Sequence, residues 1–115
     1  VSGSRPAFGL SFDPRALTDL RQAPEEIRDF ALARLQDMVA ARLIGQELTR
    51  ELAPCRKVYL DPGNAWRIVY AQRPAPPDAA HRTEIHVIAV GPRAHNDVYR
   101  TARARLGIKQ QPEPG

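Results

Sequence analysis

The chain has a single cysteine, Cys55, in 115 residues, so it can form no intrachain disulfide and no cysteine-based metal cluster. Its three histidines, His81, His86 and His95, show neither HExxH nor any other paired-ligand spacing. A metal site is therefore not expected, and no cofactor motif is present. Aromatic residues are sparse, at 6%. No apolar run approaches the ~20 residues that span a bilayer. The opening VSGSRPAF lacks the profile of a signal peptide. The expectation is a soluble, cytoplasmic protein with no membrane partner.

What the chain does have is arginine and lysine, unevenly placed. There are 17 basic against 13 acidic residues, a net charge of +4. Residues 1–53 carry seven basic and eight acidic side chains, whereas 54–115 carry ten and five. The excess positive charge therefore belongs to the second half. Clustered Lys and Arg are what a phosphate-binding surface requires, although a basic solvated face has the same composition. The length suits one domain over 1–115, able to bury roughly two thirds of its unfolded surface.

Along the chain, Phe8, Leu10 and Phe12 alternate with smaller or polar residues, which predicts a strand over 7–12. Asp13-Pro14 then opens a helix to about residue 21, with Asp as N-cap, Pro at the first helical position, and Leu17 and Leu20 facing inward. Pro24-Glu25-Glu26 opens a second helix, on which Ile27, Phe30, Ala31, Leu35, Met38 and Val39 form one apolar face. Leu43, Ile44, Leu48 and Leu52 either extend that pattern or follow a break near Gly45.

From Lys57 the period becomes two. Strands are predicted over 57–60, 66–70 and 83–90, the first two joined by the turn Asp61-Pro62-Gly63-Asn64. The last two flank a Pro-rich loop over 73–82, and the last strand, apolar on both faces, is expected to be central. Gly91-Pro92 ends it. Asn96 caps a final helix carrying Val98, Tyr99, Ala102 and Leu106, stopped by Gly107. The ordered part is expected over about 7–107, with 108–115 a flexible tail. The predicted fold is α+β, in the order β-α-α-β-β-β-α. It is a small single domain with an antiparallel four-stranded sheet and an N-terminal helical hairpin on one face.

Four stretches resemble the RelE/ParE family of type II toxin–antitoxin toxins: DPRALTDLRQAPEEIRDFALARL (13–35), CRKVYL (55–60), WRIVY (66–70) and VIAVGPRAHNDVY (87–99). The resemblance spans roughly residues 8–106 and implies a RelE-like fold. In that family the ribosome-dependent RNases carry basic residues on the second strand, an arginine on the third, an arginine after the fourth and often a tyrosine on the next helix. By position these fall on Lys57, Arg67, Arg93 and Tyr99. The resemblance therefore implies a toxin that cuts messenger RNA on the ribosome, without metal or cofactor, and that is neutralised by a cognate antitoxin protein. Arg56, Tyr59, His95 and Arg100 complete the expected RNA-contacting set. The alternatives are a ParE-like gyrase-binding toxin and an inactive relative that keeps only antitoxin binding. The chain departs from the pattern at Tyr59, where these RNases often carry a second lysine. Its turn before Trp66 is longer, and no histidine stands at its C-terminal end.

RNA cleavage without metal uses the ribose 2′-hydroxyl against its own phosphate, so the site must stabilise added negative charge. Arginine suits this because it stays charged and grips two phosphate oxygens. Each candidate has a structural alternative. Arg93 could pair with Asp97, Arg67 could bridge to a helix acid, and Lys57 could be a solvated edge lysine. Tyr99 and Trp66 could be core, His95 an exposed loop residue and His86 a satisfied strand residue.

Overall fold

The computed structural model describes residues 7–107; the tail predicted over 108–115 lies outside the described residues. The chain runs β1 (Gly9–Phe12), α1 (Pro14–Gln22), α2 (Glu25–Val39), β2 (Gln46–Glu47), a 3-10 turn (Arg50–Leu52), β3 (Arg56–Tyr59), β4 (Trp66–Pro74), β5 (Thr83–Pro92) and α3 (Asp97–Arg105). The α+β class is as expected, but the sheet has five strands, in the order β1-β5-β4-β3-β2. It is mixed, not antiparallel, because β1 runs parallel to β5. The direction of β1 is set by the helical crossover that carries the chain from one sheet edge to the other, and no hairpin constrains it. The fifth strand, β2, has only two residues, too few to show a period of two.

Helices cover both faces. On one, Val58, Leu60, Ile68, Tyr70, Ile85 and Val87 pack against Ala16, Ile27, Ala31, Leu35 and Met38 of α1 and α2. On the other, Val69, Ile88 and Ala89 pack against Val98 and Ala102 of α3. A bulge between the pairs Val69–Ala89 and Tyr70–Val87 leaves Ile88 as the extra residue of β5. That shift of phase lets Val90 join Ile85 and Val87 in the first core, while Ile88 joins the second. Strand β5 is interior and buried on both faces, as expected of a strand without alternation.

The N-terminal signals act as read. The Asp13 carboxylate accepts from the Arg15 backbone N–H at 2.8 Å, and Pro14 occupies the first helical position. The inward stripe is Ala16 and Leu20 of α1 with Ala23 just after it, however, and Leu17 is exposed, because the helical period that turns Ala16 toward the core carries Leu17 away from it. Leu10 and Leu106 are also exposed, Leu10 on the edge strand and Leu106 beyond the end of α3. Gly91-Pro92 does not end β5 but belongs to it, with Pro92 opposite Trp66.

Helix α2 stops at Val39, six residues before Gly45. The Gly45 N–H donates to the Tyr70 hydroxyl at 2.7 Å. A Cβ at this position would stand 2.5 Å from the Lys57 carbonyl oxygen, so only glycine lets the chain pass here. Beyond it, Leu48 and Leu52 pack on the α3 side of the sheet. The apolar pattern past Gly45 therefore belongs to a different core, not to a longer helix.

Where β1 ends, the edge of β5 would be left with unpaired backbone. Asp19 of α1 accepts from Val90 N–H at 3.1 Å, and Arg105 of α3 donates to the Ile88 carbonyl at 2.9 Å. The two side chains form a bidentate pair, at 2.5 and 2.9 Å. This clamp completes the strand's hydrogen bonding and fixes α3 to the sheet.

Candidate functional site

Strand alternation sends Trp66 and Ile68 to the helical-hairpin core and Arg67 to the opposite face. Arg67 is only 6% exposed, yet it has no ion-pair partner among the described residues. Its surroundings are aromatic. Tyr59, directly opposite on β3, places its ring 4.5 Å from the guanidinium carbon, and the Tyr99 ring of α3 lies at 5.8 Å. Arg67 Nη1 donates to the Tyr99 hydroxyl. Its Nε is buried and has no partner among the described residues. The salt-bridge alternative for Arg67 does not hold.

Around Arg67 lies an open cleft of about 450 Å³, bounded by the 3-10 turn, β3, β4, the turn after β5 and α3. Lys57, Arg67, Arg93 and Tyr99 all line it, so one surface collects the four residues nominated for chemistry. Lys57 shares a strand face with Tyr59, its ammonium 5.4 Å from that ring. Arg93 is exposed and forms no ion pair with Asp97; its backbone N–H donates to Ala65 at 2.7 Å and ties the turn to the start of β4.

The other nominated residues divide. Tyr59 sets its ring against Arg67 but does not itself line the cleft. Arg56 points away, to the Gly45 carbonyl at 2.8 Å and Glu47 at 3.0 Å, because it alternates with Lys57 along β3. His95 and Arg100 are exposed and do not line the cleft. Trp66 packs against the hairpin core, and His86 bonds Ser11 at 2.8 Å; both take their structural roles. Burial pushes the His86 imidazole below its usual pKa.

Sequence reasoning missed Arg50, Arg103 and the single lining carboxylate, Glu51. Arg103 follows Tyr99 by four positions on a helix, a spacing that puts both on one face. Arg50 carries no such signal, since it sits on an irregular turn at φ 57°. Five cationic residues thus face one acid. Two lining residues, Arg50 and Asn96, are non-glycine residues in the left-handed region, at φ 57° and 58°, and His95 beside Asn96 is a third at 56°. Asn96 stands at the N-cap position of α3, but its side chain makes no capping bond. Each such conformation costs on the order of 1–3 kcal/mol and is held only by its surroundings.

The protein is thus an α+β domain in which a buried arginine, without an ion pair among the described residues, faces a cationic cleft. No protein-family model matches the chain, and no curated protein matches it. Solved structures do. A mutant of the E. coli toxin RelE in the free state superposes with a TM-score of 0.65 at 26% identity, covering 87% of this chain and 98% of that one. The isolated E. coli RelE toxin gives 0.58 at 26%, covering 87% and 99%. RelE in complex with an antitoxin RelBc peptide gives 0.58 at 26%, covering 84% and 94%. The chain has a RelE-like fold. Among the described residues no helix is long and apolar enough to cross a membrane.

Proposed function

We propose that the protein is the toxin of a type II toxin–antitoxin system and that it cleaves messenger RNA on the ribosome. The observation that carries this reading is Arg67, a nine-tenths buried cation with no carboxylate partner among the described residues, facing a cleft with four further cations. Burying an unpaired charge is costly, so a ligand anion is its natural complement. The likeness to RelE supports a toxin and, through the structure of RelE with an antitoxin peptide, an antitoxin protein as partner.

In the proposed reaction the ribose 2′-oxygen attacks the adjacent phosphorus and loses its proton. The bond to the 5′-oxygen breaks, and that oxygen takes up a proton. The products are a 2′,3′-cyclic phosphate and a 5′-hydroxyl. Arg67 and Arg93 grip the phosphate and stabilise its added charge, and Lys57 contributes a point charge. Tyr99, hydrogen-bonded to Arg67, touches the reacting phosphate and exchanges a proton with the substrate. The cationic lining repels divalent ions, which suits a metal-independent reaction. The ribosome orients the RNA, and proximity supplies much of the rate.

The test is cleavage of messenger RNA in a purified translation reaction, with and without ribosomes, comparing wild type with Arg67→Ala/Arg93→Ala. Ribosome-dependent cuts that disappear in the double mutant are expected. No cleavage by folded wild type would overturn the reading, and a DNA-damage response on expression would replace it with gyrase poisoning.

A further inference from the structure

Helix α3 carries three arginines, and each meets a different fate. Arg105 is matched by Asp19 in the clamp on β5, and Arg100 is exposed. Arg103 is neither. It lines the cleft, its Nε is buried, and neither a hydrogen bond to that atom nor an ion pair is formed among the described residues. It therefore repeats the situation of Arg67, whose Nε is also buried and unpartnered at the same cleft. A buried N–H without an acceptor costs about 1–3 kcal/mol, so two of them at one cleft point to acceptors that come with a ligand.

The two arginines cannot serve one phosphate equivalently. Arg67 is held under the cleft by Tyr59 and by the Tyr99 hydroxyl. Arg103 stands four residues beyond Tyr99 on α3, about 6 Å along the axis. Tyr99 is the residue of α3 bonded to Arg67, and a rise of that size from it is of the order of the spacing between successive phosphates of a single RNA strand. The cleft has room for it. Its 450 Å³ corresponds to about fifteen waters at ~30 Å³ each, several times the space of one phosphate group. Arg50, across the cleft on the 3-10 turn, adds a second cation.

We infer that Arg103 forms a second phosphate subsite, which holds the linkage next to the one seated at Arg67. The inference rests on the RNA reading above and deepens it: the ligand is a single strand with two consecutive charged phosphates, and Arg103 is a positioning residue. It grips the strand so that the neighbouring linkage is presented to Arg67, and it takes no part in the bond changes.

The probe is a 5′-fluorescein trinucleotide with 2′-O-methyl riboses, which cannot be cleaved. It is prepared with two charged linkages, or with either one replaced by a neutral methylphosphonate, and binding is followed by anisotropy at low salt. Wild type should lose about tenfold in affinity when one linkage is neutral. Arg103→Ala should lose about as much on the fully charged RNA, and nothing further on the RNA whose flanking linkage is neutral. Arg103→Lys, which keeps the charge but not the fork, should fall between. Equal losses for Arg103→Ala on all three RNAs overturn the subsite. So does a wild-type affinity indifferent to the neutral linkages, and in that case RNA binding itself still stands. Failure of wild type to bind any of the three overturns the subsite, whereas the ribosome-dependent reading falls only if folded wild type cuts no messenger RNA in the translation reaction.

Discussion

Arg67→Met removes a charge from a place where it has no carboxylate partner among the described residues, and the consequences for stability and for activity should run in opposite directions. The arginine gains about 2 kcal/mol from desolvated contact with the tyrosine rings. Its bond to Tyr99 contributes about 1–1.5 kcal/mol more. Against this stand the effective desolvation penalty of a buried ion, several kcal/mol, and the unmet Nε, about 1–3 kcal/mol. The balance favours an apolar side chain of similar length, so Arg67→Met should unfold at the same temperature as wild type or higher. A gain of ~1 kcal/mol would raise Tm by about 4 °C in a domain of this size. RNA cleavage should fall by at least ~100-fold, as for loss of one oriented donor. Thermal unfolding followed by circular dichroism, repeated in inorganic phosphate, reads both sides of the argument. Phosphate should raise the wild-type Tm by binding the folded state and leave the variant nearly unmoved. A variant that melts several degrees below wild type would show that Arg67 is a structural keystone, and the anion argument would then lose its foundation.

Tyr99→Phe keeps the ring over Arg67 and removes the acceptor, so it should cost about 1–3 kcal/mol of stability and slow cleavage; an unchanged cleavage rate would leave Tyr99 a packing residue. Arg105→Ala strands Asp19 and the Ile88 carbonyl at the β5 edge and should destabilise by ~3–5 kcal/mol in urea unfolding, whereas a loss under ~1 kcal/mol would show that the clamp is dispensable. Asp13 is held at a pKa of about 2, chiefly by the hydrogen bond from the Arg15 side chain, against a smaller opposing effect of burial. Because its folded pKa lies below the ordinary 3.8, its contribution is complete above that value and is lost as pH falls toward 2. Asp13→Ala should therefore cost ~1 kcal/mol at neutral pH, and the difference from wild type should shrink on acid titration; a gap independent of pH would refute the capping role.

What local chemistry dictates was legible in the residue string. Asp13-Pro14 and Pro24-Glu25-Glu26 start α1 and α2, the four-residue turn from Asp61 joins β3 to β4, and the apolar run of β5 is buried on both faces. Alternation along β4 alone was enough to put Arg67 on the face opposite Trp66. Lys57, Arg93 and Tyr99 were found through resemblance, since nothing in their immediate neighbours distinguishes a cleft residue from a solvated one. Arg56, His95 and Arg100 show the limit of nomination by position, for each is close in sequence to a lining residue and yet outside the cleft.

The tertiary structure decided the rest. That β1 runs parallel to β5, that Leu48 and Leu52 cross to the second core, and that Ala16 is buried in place of Leu17 all depend on elements distant along the chain. So does the cleft itself. Arg50, Lys57, Arg67, Arg93 and Arg103 come from five separate segments, and only the sheet order and the docking of α3 bring them together. Helix and strand signals act within a few residues. The cost of an unpaired buried charge is set by what surrounds it in space, and that is known only once the chain has folded.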